Sequence, residues 1–109
     1  MIFALDYDET FTADKMLWTE WVQHAVERGH SVSFVTFRMG PENPYRDDDN
    51  ADIIGDAYNL NIPIVFCNHR QKKHCFKADV WIDDMPELIV SYEDMTNLKY
   101  GCEVNGDTE

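Results

Sequence analysis

The sequence predicts an α/β fold in three layers, with helices on both sides of a central, mostly parallel sheet. Short apolar runs that end in polar residues alternate with longer segments whose apolar residues recur at helical spacing. Alternation of strands and helices with short links is typical of parallel sheets, since each crossover carries a helix. A chain of 109 residues is long enough for one such domain. We expect a Rossmann-like core over residues 1–104 and a frayed acidic tail over residues 105–109.

The predicted strands are 2–5, 31–36, 63–67 and 78–82, with a short edge strand over 98–104. The predicted helices are 13–28 and 51–60, and Pro86 opens a third, because a proline is harmless at the first helical position. The apolar face predicted for the first helix contains Leu17, Trp18, Trp21, Val22, Ala25 and Val26. In the second helix, the residues expected to face inward are Ile53, Ile54, Ala57 and Tyr58.

The charge and the cysteines limit the classes of partner. The net charge of −12 repels polyanions, so general binding to nucleic acid is disfavoured, although a metal or a local basic patch would still admit a phosphate ester. Three cysteines without framework spacing indicate a reducing compartment, and we expect the cytoplasm. No segment reaches the roughly 18 apolar residues that span a bilayer, so no membrane partner is expected.

The first strand ends in two carboxylates, Asp6 and Asp8, followed by the hydroxyl of Thr10. In an extended backbone, residues two apart point to the same side, and two like charges held so close favour a cation or a proton between them. A strand followed by an acidic, capped turn is the alternative interpretation.

Polar side chains also end the second and fourth predicted strands, at Thr36 and at Asp83-Asp84. In a parallel sheet these ends share one edge with Asp6 and Asp8, where open α/β sheets bind ligands. A basic connection that contains Lys72 and Lys73 precedes the fourth strand. Four acids at one edge favour a hard divalent cation, and Mg²⁺ fits because one or two carboxylates, waters and a substrate phosphate can hold it.

These residues resemble the motifs of the haloacid dehalogenase superfamily, most of whose members are phosphatases. The run Asp6-Tyr7-Asp8-Glu9-Thr10 is similar to its DxDxT motif, Thr36 to its second motif, and Lys73 to its third. Lys72 competes with Lys73 for the third position. The run from Val80 to Asp84 is similar to the fourth motif, an acidic pair after a strand. The segment from Lys73 to Asp84 also resembles the 5′(3′)-deoxyribonucleotidase branch over a short stretch.

The resemblance implies a Mg²⁺-dependent phosphatase and a role for each matching residue. Asp6 would be the nucleophile that forms an aspartyl-phosphate, and Asp8 the general acid and base. Mg²⁺ would be held by the Asp6 side chain, the Asp8 backbone carbonyl and Asp83. Asp84 would be a further acid of the metal shell or one that positions the lysine.

The phosphoryl group of the substrate would be bound by the remaining motif residues. Thr36 would hydrogen-bond a phosphoryl oxygen, and Lys73 would offset its charge. Phe37 and Arg38, which follow Thr36, are further substrate-binding candidates. The expected partner is a small phosphorylated substrate such as a nucleotide. A nucleic-acid end-processing phosphatase and a non-catalytic phosphate- or protein-binding module are the alternatives.

Other features predict secondary sites. The links between the motifs have no room for a cap domain, so the site should be open, with residues 39–49 as a substitute lid. The run Asp47-Asp48-Asp49 is a weak candidate for cation binding, and Cys67, His69, His74 and Cys75 are a weak candidate for zinc binding. Self-association as a homo-oligomer would use the Trp-rich helix and Tyr92, Met95 and Tyr100.

Overall fold

A computed structural model of the chain describes residues 1–44 and 49–90. Its sheet contains four strands: β1 (Ile2–Leu5), β2 (Ser31–Thr36), β3 (Ile64–Phe66) and β4 (Val80–Ile82). The strands lie in the order β3-β2-β1-β4, and every neighbouring pair is parallel. The predicted α/β fold with a parallel central sheet flanked by helices is confirmed.

Two helices, α1 (Lys15–Glu27) and α2 (Ala51–Leu60), follow β1 and β2. The Asp14 carboxylate caps α1 by accepting a hydrogen bond from the backbone N–H of Leu17 at 3.1 Å. Asn61 ends α2 in the left-handed conformation, with φ of 57°. Both helices pack on the same face of the sheet, where their buried residues join one core cluster with the aromatic residues of β2 and of the turn after β1. The buried members of this cluster are Leu5, Tyr7, Phe11, Val22, Ala25, Val32, Phe34, Ile53, Ala57 and Ile62.

The helices bury a narrower face than the sequence predicts. Trp18 and Trp21 pack against the core as expected, with their rings 5.7 Å apart. Four residues that were predicted to face inward are exposed instead: Leu17, Val26, Ile54 and Tyr58. A sheet of four short strands covers only the central stripe of each helix, which explains why these outer apolar positions face solvent.

The opposite face of the sheet carries a smaller core cluster. Ala4, Val35 and Cys67 are buried there, and Phe76 and Trp81 pack against them. The connection between β3 and β4, with a short helical turn at Lys72–His74, covers this face in the described part of the chain. The connection therefore passes directly beneath the ends of β1 and β4.

The other predicted elements are shorter than expected or lie elsewhere. Pro86 opens a single helical turn, Pro86–Leu88, rather than a long helix within the described residues. The predicted edge strand 98–104, the acidic tail, and Tyr92, Met95 and Tyr100 fall outside the described residues. Within residues 1–44 and 49–90, no helix has the length and apolar character required to cross a membrane.

Candidate active site

Asp6 lies at the carboxyl end of β1, at the centre of the sheet edge. Its backbone N–H donates to the carbonyl of Ile82 at 2.9 Å, which ties the end of β1 to the end of β4. Its side chain is buried and accepts two hydrogen bonds, from Lys72 Nζ at 2.8 Å and from Thr10 Oγ1 at 3.0 Å. A buried carboxylate with two donors is well oriented, because each oxygen has a fixed partner.

The chain turns sharply after Asp6. Tyr7 and Phe11 are buried and their rings pack against Phe34 of β2, which fixes both ends of the turn in the core. Glu9 at the top has a left-handed backbone with φ of 64°, and its N–H donates to Thr12 Oγ1. This turn leaves Asp8 exposed and directs the Thr10 hydroxyl back to Asp6. The Thr10 hydroxyl therefore ties the far end of the turn to Asp6.

Lys72, not Lys73, is the lysine at Asp6. The side chain of Lys72 is fully buried, and its ammonium group donates to both Asp6 and Asp83. The prediction for Lys73 was wrong in this respect: Lys73 is exposed, and its backbone N–H donates to the carbonyl of Ile89. The two lysines point apart because they lie on one short helical turn, Lys72–His74.

The electrostatics of this buried group follow from desolvation and pairing. Burial raises the pKa of Asp6 to about 6, although the hydrogen bond and charge of Lys72 act in the opposite direction. Burial alone would lower the pKa of Lys72, but its hydrogen bonds to Asp6 and Asp83 raise the pKa overall. At neutral pH the lysine is therefore protonated and Asp6 is mostly ionised.

Asp83 and Asp84 follow β4 and complete a group of three carboxylates with Asp6. One oxygen of each lies within 4.8 Å of the others, so that, among the residues that the structure describes, these three could together ligate a metal ion. The oxygen donors suit Mg²⁺, and Lys72 engages only one oxygen of Asp6 and one of Asp83. Asp83 and Asp84 also line a cavity of about 270 Å³ together with Glu9, Thr10, Ala13, Trp18 and Ile82.

The carboxylate of Asp8 is not part of this group of three. Both of its oxygens accept hydrogen bonds from Arg38, from Nε at 2.9 Å and from Nη2 at 2.6 Å. The metal-binding role expected for Asp8 concerns its backbone carbonyl rather than this side chain, and it stays a prediction. Arg38 also contacts Asp52, and its guanidinium lies 5.3 Å from the centre of the Tyr7 ring.

Thr36 ends β2 at the same edge of the sheet as Asp6, and Phe37 follows it. Thr36 is buried, and its Oγ1 accepts a hydrogen bond from the backbone N–H of Arg38 at 3.2 Å. The hydroxyl hydrogen of Thr36 could therefore still be donated to a ligand. Phe37 stacks on His69 with ring centres 5.1 Å apart. Since His69 follows β3, the ring of Phe37 packs on the β3 side of the sheet edge, away from the carboxylates.

The secondary sites are less well formed. Cys67 is buried in the core, Cys75 Sγ points at the Cys67 carbonyl, and His69 stacks on Phe37, so these side chains have other partners than a shared zinc ion. Asp47 and Asp48 lie outside the described residues, and the cation prediction for that run stays open. The described part of the loop after β2 lines a cavity of about 790 Å³ with Phe66 and Asn68, and its predicted lid function is untested.

Comparisons with known proteins identify no relative. No protein-family profile, curated protein or solved structure matches the chain significantly.

The contact between Arg38 and Asp52 was missed by the sequence reasoning. Asp52 is the second residue of α2, where an acidic residue is ordinarily explained by the helix dipole alone. A pair of residues 14 positions apart on different elements carries no local pattern that would have revealed the contact.

Proposed function

We propose that the protein is a Mg²⁺-dependent phosphatase of the haloacid dehalogenase type, which hydrolyses a phosphate monoester through a phosphorylated Asp6. One observation carries the proposal: Lys72 bridges Asp6 and Asp83 in a buried group at the carboxyl edge of the sheet. Burying two carboxylates and an ammonium together costs several kcal/mol per ion, so a purely structural role is a poor reason to retain the group. The same group is well suited to phosphoryl transfer, which depends mainly on positioning and charge.

In the first proposed step, an Asp6 carboxylate oxygen attacks phosphorus. The bond from phosphorus to the ester oxygen breaks, its electron pair goes to that oxygen, and Asp8 supplies the proton that makes it an alcohol. Lys72 holds the other Asp6 oxygen, so that the attacking oxygen keeps one orientation. The hydroxyl of Thr36 donates to a phosphoryl oxygen.

In the second step, a water molecule attacks the phosphorus of the aspartyl-phosphate. Asp8 takes a proton from the water, and the bond between phosphorus and the Asp6 oxygen breaks with its electrons returning to the carboxylate. Inorganic phosphate leaves, and Asp6 and protonated Asp8 are regenerated. The sum of both steps is ester plus water to alcohol plus phosphate, with no other reactant.

Asp6, Asp83 and Asp84 would hold Mg²⁺, and the ion would offset the charge of the phosphoryl oxygens. The proposed substrate is a small phosphate ester such as a nucleotide, because the net charge of −12 disfavours a polyanion. The proposed compartment is the cytoplasm, where thiols such as Cys67 and Cys75 stay reduced.

The test is hydrolysis of p-nitrophenyl phosphate with Mg²⁺ and with EDTA. We expect turnover that depends on Mg²⁺ and a fall of at least about a thousandfold in Asp6→Asn, because the nucleophile is lost. Asp14→Asn, at the start of α1, is a matched control that should retain full activity, since asparagine caps a helix as well as aspartate. Equal turnover in EDTA, or full activity of Asp6→Asn, would refute the proposal.

A further inference from the structure

We infer that Asp52 is a positioning residue, which anchors Arg38 so that Arg38 fixes the carboxyl group of Asp8. The inference rests on the proposed function, since it concerns the proposed general acid. It assigns a role to the first turn of α2, in which Asp52 is linked to Asp8 through Arg38.

The hydrogen-bond donors of Arg38 are all used within the chain. A guanidinium has five N–H donors. Nε and one donor of Nη2 bind the two oxygens of Asp8, at 2.9 and 2.6 Å. The second donor of Nη2 binds Asp52 at 3.1 Å, while Nη1 binds Asp52 at 2.8 Å and the carbonyl of Asp49 at 3.2 Å. With all five donors occupied, Arg38 is better explained as a bridge than as the direct phosphate ligand predicted from its sequence position.

The bridge is rigid on the side of Asp52. Asp52 lies in the first turn of α2, and its Oδ1 also accepts the backbone N–H of Ile53 at 2.8 Å. The side chain of Arg38 is only 15% exposed and lies over the buried ring of Tyr7. Such a guanidinium, held in a plane by two bidentate contacts, fixes the direction of its partner carboxylates.

Asp8 needs this support because it stands on the exposed part of the turn. Its side chain is 49% exposed, and Arg38 is its hydrogen-bond partner in the described part of the chain. A freely rotating carboxyl group samples many directions, whereas one held by Arg38 keeps a single direction, which the proton transfers proposed for Asp8 require. Loss of Asp52 should therefore weaken protonation of the leaving group and spare attack by Asp6.

The experiment compares kcat/KM for phenyl phosphate and 2,4-dinitrophenyl phosphate, because kcat/KM includes only the steps up to departure of the leaving group. Phenolate leaves poorly without a proton, while dinitrophenolate leaves well without one. In Asp52→Asn we expect kcat/KM to fall about tenfold to a hundredfold for phenyl phosphate, part of the full effect of a general acid. The fall for the dinitrophenyl ester should be less than about threefold, since its departure needs no proton.

Two further variants make the result specific. Arg38→Lys should give the same leaving-group-dependent loss, since lysine makes no bidentate contact. Asp52→Glu, which keeps a carboxylate, should recover part of the activity towards phenyl phosphate. Asp14→Asn is the matched control, being the same substitution at the start of the other helix.

Equal losses for both esters would overturn the inference and indicate a general structural effect of Asp52. A rise in KM for both esters in Arg38→Lys would overturn it in favour of direct phosphate binding by Arg38. In either case, Mg²⁺-dependent turnover that disappears in Asp6→Asn would leave the proposed function standing. Absence of that turnover in the unmodified protein would refute the proposed function and the inference with it.

Discussion

The ammonium group of Lys72 lies 2.8 Å from Asp6 Oδ1, although the two residues are 66 positions apart. The same group binds Asp83, so the ends of β1 and β4 and the connection between β3 and β4 meet at one buried cation. The side chains of Lys72, Asp6 and Asp83 are only 1%, 8% and 2% exposed. Charges buried to this degree interact much more strongly than surface pairs, and removal of one partner leaves the others buried without compensation.

Replacement of Lys72 by methionine should damage both stability and activity. The substitution leaves Asp6 and Asp83 buried without their cation, and we expect the free energy of unfolding to fall by about 3–5 kcal/mol. We expect kcat for an aryl phosphate to fall by about a hundredfold or more, because a charge fixed beside the reacting groups is lost. Chemical denaturation and steady-state kinetics measure the two effects.

Lys73→Met is the matched control for this substitution. Lys73 is the next residue but is exposed, so the free energy of unfolding should change by less than about 0.5 kcal/mol. A large loss of activity in Lys73→Met together with a small one in Lys72→Met would restore the original assignment of Lys73 and contradict the structure.

Mg²⁺ should stabilise the folded protein by binding Asp6, Asp83 and Asp84. At a Mg²⁺ concentration about tenfold above Kd, the free energy of unfolding should rise by about 1.4 kcal/mol. For a domain of this size, Tm should then rise by about 5–10 °C. A scanning-fluorimetry titration against NaCl of equal ionic strength separates site binding from screening of the net charge of −12.

The same titration on Asp83→Asn tests the ligand set. The Tm shift with Mg²⁺ should shrink or vanish in Asp83→Asn and persist in Asp14→Asn, whose carboxylate only caps α1. An unchanged shift in Asp83→Asn would show that Mg²⁺ stabilises the protein elsewhere.

Tyr7→Phe should destabilise the fold, because it removes one hydrogen bond. The buried Tyr7 hydroxyl donates to Asp56 Oδ2 at 2.5 Å, and Asp56 also pairs with Lys15. Burial and this contact raise the pKa of Tyr7, so the hydroxyl stays protonated and remains a donor at neutral pH. Loss of a hydrogen bond to a charged group should lower the free energy of unfolding by about 1.5–3 kcal/mol, as measured by urea denaturation.

Tyr58→Phe provides the comparison for Tyr7→Phe. Tyr58 is 84% exposed on α2, so removal of its hydroxyl should change the free energy of unfolding by less than about 0.5 kcal/mol. Equal effects of the two substitutions would mean that the contact between Tyr7 and Asp56 contributes nothing to stability.

The sequence was sufficient to predict the sheet and most of the edge that carries the site. The predicted bounds of β1 and β2 agree with the structure, because each is an apolar run closed by a polar residue. The parallel arrangement then brings Asp6, Thr36 and Asp83 to one edge without any knowledge of side-chain contacts. The strand ends and the parallel direction, both predicted from the sequence, were therefore enough to locate the candidate site.

The sequence did not reveal the direction in which side chains point in the connections between strands and helices. Lys72 and Lys73 are chemically identical neighbours, and only the short helical turn at Lys72–His74 decides which one enters the core. Arg38 reaches Asp8 and Asp52 across three elements, which no spacing rule predicts. Leu17 and Tyr58 were placed inward because helical periodicity does not reveal how much of a helix a short sheet can cover.

The most direct test of the account is to find the phosphoryl group on Asp6. Asp8→Asn is mixed with 2,4-dinitrophenyl phosphate and Mg²⁺, quenched in acid, digested and analysed by mass spectrometry. The dinitrophenyl ester needs no proton to leave, while hydrolysis of the intermediate needs the base, so the aspartyl-phosphate should accumulate. In Asp8→Asn we predict one phosphoryl group on the peptide that contains Asp6. In the double variant, which carries both Asp8→Asn and Asp6→Asn, we predict none. Turnover of the ester by the unmodified protein, with no phosphoryl group on this peptide in Asp8→Asn, would contradict the account.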